Sequence, residues 1–196
     1  MLEARPSHGT IPAMKRYEHV ILLLITAALG VTWILYSREP VSQDLALTEA
    51  PIVGHLAPDF TLQTPTGESV TLTDYVDREG ADGRPVVLNY WASWCGPCRI
   101  ETPHLQEASI KYNNQVAVLG VNQGEDARTV TEFGLSFGLT YPLLVDQDSE
   151  INQRYGILGL PTTIFIDRQG VVREVFIGII NQAILEERIT HLLAEG

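Results

Sequence analysis

The run Pro85-Val86-Val87-Leu88-Asn89-Tyr90-Trp91, followed at once by Ala92-Ser93-Trp94-Cys95-Gly96-Pro97-Cys98, decides the fold. Its first half is apolar and β-branched, as in a buried strand, and the segment after Cys98 is helical in composition. The cysteines therefore fall on a strand-to-helix turn. They are the only two in the chain. Two thiols separated by two residues at a helix start can close a small disulfide ring, and the helix N-terminus stabilises a thiolate on the first sulfur. Pro97 fits the first helical turn, where backbone N–H groups have no intrahelical partner. Cys95 is expected at the surface, with Cys98 tucked behind it.

A structural disulfide, half of a zinc site and a pair of core thiols are the alternatives. A two-residue gap closes too small a loop to stabilise a fold much. A zinc site wants four ligands, and no second Cys or His pair stands at ligand spacing. Redox chemistry is the reading that remains.

From about Pro51 onward the chain resembles the thioredoxin superfamily, most closely its membrane-anchored branch of ResA/TlpA-like thiol-disulfide oxidoreductases. The resemblance rests on Ala57-Pro58-Asp59-Phe60-Thr61-Leu62, on Val87 through Arg99, and on Gly159-Leu160-Pro161-Thr162-Thr163. It implies an α/β, thioredoxin-like fold: a central mixed sheet flanked by helices, an extra N-terminal hairpin, and an inserted helix-strand unit. It also implies that Pro161 is cis and lies against the cysteines, that the backbone of Leu160 pairs with a substrate segment, and that Pro161 keeps metal from the sulfurs. An ordinary trans proline at a loop end is the alternative. Trp94, Gly96 and Pro97 complete the expected substrate-binding set, and Trp91 and Trp94 are expected either as apolar walls of the thiols or as core aromatics.

From Val20 to Tyr36 no residue is charged, with Lys15 and Arg16 before the run and Arg38 and Glu39 after it. At about 1.5 Å per residue it spans roughly 25 Å, a membrane helix with Tyr17, Trp33 and Tyr36 as interfacial anchors. A cleaved signal peptide needs a small-residue site after the run, and Leu35-Tyr36-Ser37-Arg38-Glu39 is a poor match. The expectation is an uncleaved, single-pass signal-anchor in the cell membrane. Arg5, Lys15 and Arg16 place residues 1–19 in the cytoplasm. Residues 20–36 then span the membrane, 37–50 form a tether, and 51–196 form an extracytoplasmic domain where thiols escape the reducing cytosolic pool.

The formal net charge is −11, and from Pro51 onward nine Lys and Arg face nineteen Asp and Glu. Such a domain repels a phosphate backbone, so nucleic acid is not expected as a partner. Strands are expected at Phe60–Leu62, Ser69–Leu72, Gln115–Asn122 and Leu143–Val145, with Thr162–Asp167 and Val171–Ile177 as a pair. Helices are expected from Cys95 to Tyr112, interrupted and kinked by Pro103, at Asp126–Phe137, at Ser149–Tyr155, and at Asn181–Ala194 with Ile184, Leu185, Ile189, Leu192 and Leu193 facing the core. Gly124, Glu125 and Asp126 read as a helix-start turn, and His55 and His104 as surface or satisfied histidines.

Glu101 is the remaining catalytic candidate. Positions 98, 101, 105, 108 and 112 share one helical face, and Leu105, Ala108 and Tyr112 mark it as inward, which puts an acid on an apolar face. Plain thioredoxins carry a buried Asp where this chain has Asn89, and the resembled branch carries a Glu at the offset of Glu101. Burial would raise its pKa towards neutrality, as a proton acceptor for Cys98 requires. The alternative is a solvated Glu101 that only complements the helix N-terminus.

The expected activity is reduction of disulfides in partner proteins by Cys95 attack and Cys98 resolution, with no cofactor beyond the cysteine pair and no metal. By resemblance, an integral membrane thiol transporter supplies electrons, apocytochrome c or a copper-site assembly protein receives them, and the protein is a monomer. A disulfide-forming oxidase is the runner-up, and a membrane-tethered Cu(I) chaperone using Cys95 and Cys98 is the reading of a different class. A peroxidase fits less well. The peroxidatic pattern has Thr three and Pro seven residues before the cysteine, where this chain has Ala92 and Leu88.

Overall fold

The structure is a computed structural model and describes residues 14–36, 48–80 and 82–194, except for the side chains of 14–16, 18, 31 and 34–36. The chain divides into two compact units, Met1–Leu45 and Ala46–Gly196. In the first, helix α1 (Met14–Tyr36) contains the uncharged run, and its described side chains are exposed. Thr26 and Thr32 donate their hydroxyls to the carbonyls of Leu23 and Ala28. Among the described residues no helix is long and apolar enough to cross a membrane. The expectation of an anchor thus rests on the sequence, and residues 1–13 of the segment expected in the cytoplasm and residues 37–47 of the expected tether lie outside the described residues.

The second unit is a seven-stranded mixed sheet in the order β2-β1-β5-β4-β3-β6-β7 among the described residues. The strands are β1 (Thr61–Gln63), β2 (Ser69–Thr71), β3 (Val86–Trp91), β4 (Ala117–Gln123), β5 (Leu143–Asp146), β6 (Thr162–Ile166) and β7 (Val172–Ile177). The remaining α-helices among the described residues are α2 (Gly96–Lys111), α3 (Ala127–Phe137), α4 (Glu150–Arg154) and α5 (Gln182–Ala194). β3 lies between parallel β4 and antiparallel β6. It is buried on both faces, which is why its sequence is a continuous apolar run rather than an alternating one.

Alternation along β3 still sorts the two cores. Val87 and Trp91 pack with Leu105, Leu185, Ile189 and Phe133 of α2, α5 and α3. Val86, Leu88 and Tyr90 pack on the opposite face with Phe60, Leu72, Ile151 and Tyr155. Asn89, between Val87 and Trp91, is thereby aimed at the α2 face. A buried amide there needs a partner, because an unsatisfied one costs about 1–3 kcal/mol.

The hairpin and the inserted unit are both present. β1 and β2 pair antiparallel, and β5 joins them to the sheet by pairing parallel with β4 and meeting β1 at Gln63 opposite Val145. The inserted strand therefore widens the sheet, while α3 brings Phe133 and Phe137 to the active-site side. Two expectations are corrected here. Helix α2 is not interrupted at Pro103 but runs through it from Gly96 to Lys111, because the packing of Cys98, Glu101, Leu105 and Ala108 on the buried face offsets the proline's local cost. The last tether residues are folded onto the domain: Glu49 bridges to Leu56, Ala50 N–H donates to the Leu56 carbonyl at 2.9 Å, and Glu49 pairs with Arg78 at 2.6 Å.

Candidate active site

Cys95 and Cys98 are joined in a disulfide. Cys95 is the N-cap of α2, in extended conformation, and its sulfur accepts the Cys98 N–H at 3.1 Å. Gly96 and Pro97 form the first turn and are exposed. Cys95 is not at the surface as expected: it is 4% exposed and Cys98 1%. The ring turns the Cys95 sulfur inward to the helix N–H, where Trp91, Ala92 and Leu160 help to enclose it. Of the two expected walls, Trp91 is buried in the core, whereas Trp94 is 68% exposed and belongs to the outer face of the site.

The Leu160-Pro161 bond is cis, as the resemblance implied. Thr162 Oγ1 closes the loop by donating to the Gly159 carbonyl at 2.8 Å, and Gly178 N–H donates to the Pro161 carbonyl at 2.9 Å. Leu158 at the loop tip is 99% exposed. Leu160 packs its side chain against the cluster that holds the cysteines. Its own N–H and carbonyl make no hydrogen bond among the described residues, so both are available to an extended segment laid alongside.

Glu101 is fully buried, one helical turn beyond Cys98. One carboxylate oxygen accepts from Asn89 Nδ2 at 2.7 Å, and the other accepts from the backbone N–H of Ile180 at 3.0 Å. Asn89 Nδ2 also donates to Thr163 Oγ1 at 3.0 Å, across the β3–β6 register that sets Asn89 opposite Thr163. Burial raises the carboxyl pKa to about 7, against the opposing pull of the Ile180 and Asn89 hydrogen bonds. The solvated alternative for Glu101 is excluded: it is an acid with no water contact, held by two donors and poised to titrate near neutrality. The position of Asn89 accounts for the missing Asp. An amide from the strand and a carboxylate from the helix occupy that space together.

Glu125 is the feature that sequence reasoning took for a mere turn. Its carboxylate accepts from Ser93 N–H at 2.8 Å, from Asn122 Nδ2 at 2.6 Å and from Ser93 Oγ. The loop that carries Trp94 and Cys95 is thus fastened to the end of β4. The available signal was topological: Trp91 and Asn122 are in register at the ends of adjacent parallel strands, so whatever follows both must meet. Asp126 does start a helix as expected, capping α3 through Thr129 N–H at 2.8 Å. His55 is tied to the Thr48 carbonyl at 3.2 Å, and His104 is half-buried. Among the described residues no three His, Cys, Asp or Glu side chains are grouped as a metal site.

This geometry can form and break a disulfide at a helix N-terminus and hold one proton beneath it. A family model described as the AhpC/TSA family matches residues 53–175. The chain belongs to the AhpC/TSA family. Among its relatives, thiol-disulfide oxidoreductase ResA of Geobacillus thermodenitrificans is 37% identical over 171 residues, which are 87% of this chain and 91% of that protein. Thioredoxin-like protein YneN of Bacillus subtilis is 31% identical over 173 residues, 87% of this chain and 94% of that one. Among solved structures, a putative thiol:disulfide interchange protein DsbE from Chlorobium tepidum is 32% identical with a TM-score of 0.66, covering 72% of this chain and 98% of that chain. Within the AhpC/TSA family this chain is a thiol-disulfide oxidoreductase of the ResA and DsbE type, with a thioredoxin-like fold. The two positions where the peroxidatic pattern has Thr and Pro hold Ala92 and Leu88, both fully buried apolar residues.

Proposed function

We propose that this oxidoreductase is a membrane-anchored, extracytoplasmic reductase of disulfides in client proteins, in which Glu101 handles the proton of Cys98. In its reduced state, the Cys95 thiolate attacks one client sulfur; a Cys95–client bond forms and the other client sulfur leaves as thiolate. Cys98 gives its proton to the ionised Glu101 carboxylate and attacks Cys95. The Cys95–Cys98 disulfide forms as the Cys95–client bond breaks, the client departs with both electrons as two thiolates that take their protons from solvent, and Glu101 keeps the Cys98 proton until the pair is reduced again. A membrane thiol-electron transporter then returns two electrons to the pair. The recipients are client disulfides of the kind found in apocytochrome c or copper-site assembly proteins.

The carrying observation is the Glu101 cage: a fully buried carboxyl, one turn from the resolving cysteine, with its pKa raised by burial to about 7. A group that takes and returns a thiol proton needs that value. Gly96-Pro97 between the cysteines favours the reducing direction. The anchor is supported by the absence of charge from Val20 to Tyr36 within α1 and by the exposure of Val20, Leu23, Leu24 and Trp33 along it. The free backbone of Leu160 is the docking edge for the client, and Trp94 and Leu158 are exposed apolar side chains available to the same segment.

The test follows the alkylation rate of the reduced thiols and the resolution rate of a preformed mixed disulfide from pH 5 to 9. Wild type should show an inflection near pH 7 that Glu101→Gln lacks, with resolution slowed in the variant. Identical profiles would leave Glu101 without a role in exchange.

A further inference from the structure

Arg99 stands one turn beyond Cys95 on α2, its N–H donated to the Cys95 carbonyl at 3.3 Å, so the two residues share a helix face. Its guanidinium lies over two rings of α3, with its central carbon 5.6 Å from the centroid of Phe133 and 5.1 Å from that of Phe137. Those rings are 4.7 Å apart, and Phe133 stacks in turn on Trp91 at 4.2 Å. The platform under Arg99 is therefore rooted in the same buried wall that encloses the disulfide.

Among the described residues Arg99 has no carboxylate partner. Six of the other eight basic residues of the domain, Arg78, Lys111, Arg128, Arg154, Arg173 and Arg188, each meet one; among the described residues Arg84 and Arg168 do not, but neither stands beside the cysteines. Arg99 is exposed, one turn from the attacking cysteine, in a domain where acidic residues outnumber basic ones nineteen to nine from Pro51 onward. An arginine stacked on aromatic rings keeps its N–H groups in the ring-parallel plane with their edges free, and those edges match a carboxylate through two parallel hydrogen bonds.

We propose that Arg99 on its Phe133–Phe137 platform is a recognition subsite for a carboxylate of the client: segments with Asp or Glu beside the attacked cysteine are reduced faster than their amide counterparts. The proposal rests on the reductase reading and adds a substrate class to it. It also gives the inserted helix a role beyond widening the sheet, because both rings belong to α3. The acidic domain repels an acidic client at long range, so the preference is local, confined to a carboxylate that reaches Arg99.

The experiment uses the full chain, reduced, with synthetic disulfide-bridged peptides that carry Glu, Gln or Lys beside the bridged cysteine, and reads the second-order rate constant of reduction. Wild type should prefer the Glu peptide over the Gln peptide by about two- to fivefold at low ionic strength, the range of an exposed charge pair, and the preference should shrink as salt is added. Arg99→Gln should treat the two alike, Arg99→Glu should favour the Lys peptide, and Phe137→Leu should bring the ratio of the Glu-peptide rate to the Gln-peptide rate closer to one. Equal wild-type rates on Glu and Gln peptides would overturn the proposal. So would an Arg99→Gln variant slowed by one common factor on every peptide, which would make Arg99 a helper of the Cys95 thiolate or a clamp between α2 and α3. Failure of wild type to reduce any of the peptides would overturn the reductase reading, and this proposal with it.

Discussion

Replacing Glu101 by Gln should change the pH dependence of stability in a calculable direction. The folded pKa is raised from the ordinary 4.5 to about 7. Below pH 4.5 the carboxyl is protonated in both folded and unfolded chains, and its titration takes nothing from stability. As pH rises towards 7, the unfolded chain releases the proton that the folded chain keeps, so stability is lost progressively and then levels off. At about 1.4 kcal/mol per pH unit, the interval from 4.5 to about 7 amounts to about 3 kcal/mol. Gln does not titrate. It carries instead a pH-independent loss, because its amide presents only one oxygen to the two donors, Asn89 Nδ2 and Ile180 N–H, and a lost hydrogen bond of this kind costs about 1 kcal/mol. The variant should thus be somewhat less stable than wild type at pH 4 and more stable at pH 8, with the difference changing sign between. The assay is denaturant unfolding of the oxidised protein by tryptophan fluorescence across pH 4 to 9, with the disulfide intact so that neither cysteine titrates. The slope is the decisive quantity. A stability difference that stays flat across this range would show that Glu101 does not hold its proton in the folded state, and the mechanism built on it would fall.

Three further outcomes are expected. A thiol reagent that cannot cross membranes, applied to intact cells after reduction, should label Cys95; labelling only after lysis would place the domain inside. Equilibrated with a glutathione buffer, the Cys95–Cys98 pair should show a potential near thioredoxin's, about −270 mV, and a value near about −120 mV would favour the oxidase instead. Glu125→Ala strips Ser93 N–H, Ser93 Oγ and the buried Asn122 amide of their shared acceptor, and should lower the unfolding free energy by about 1–3 kcal/mol. A loss below about 0.5 kcal/mol, the range of an ordinary surface substitution, would show that the loop before Cys95 does not depend on it.

What the sequence by itself determined was local. An apolar, β-branched run ending in Trp91 and a proline two residues into the next element leave few conformations for the Cys95–Cys98 turn, because strand periodicity and helix-start chemistry act over a few neighbours. The inward face of α2 was legible for the same reason, and with it the placement of Glu101, since Leu105 and Ala108 repeat at helical spacing. The partners of Glu101 were not. Asn89 lies twelve residues away, and Ile180 lies seventy-nine residues away, contributing a backbone N–H that carries no side-chain signature. Glu125 was hidden in the same way: it reads as a turn residue until parallel pairing sets the ends of β3 and β4 side by side and carries Ser93 to its carboxylate. The burial of Cys95 and the stacking of Arg99 on α3 were likewise decided by packing between elements that the chain order separates. Spacing specifies which way a side chain points along its own helix or strand. What it meets there depends on which distant element the sheet brings opposite, and that is settled only when the β3–β4 and β3–β6 pairings close.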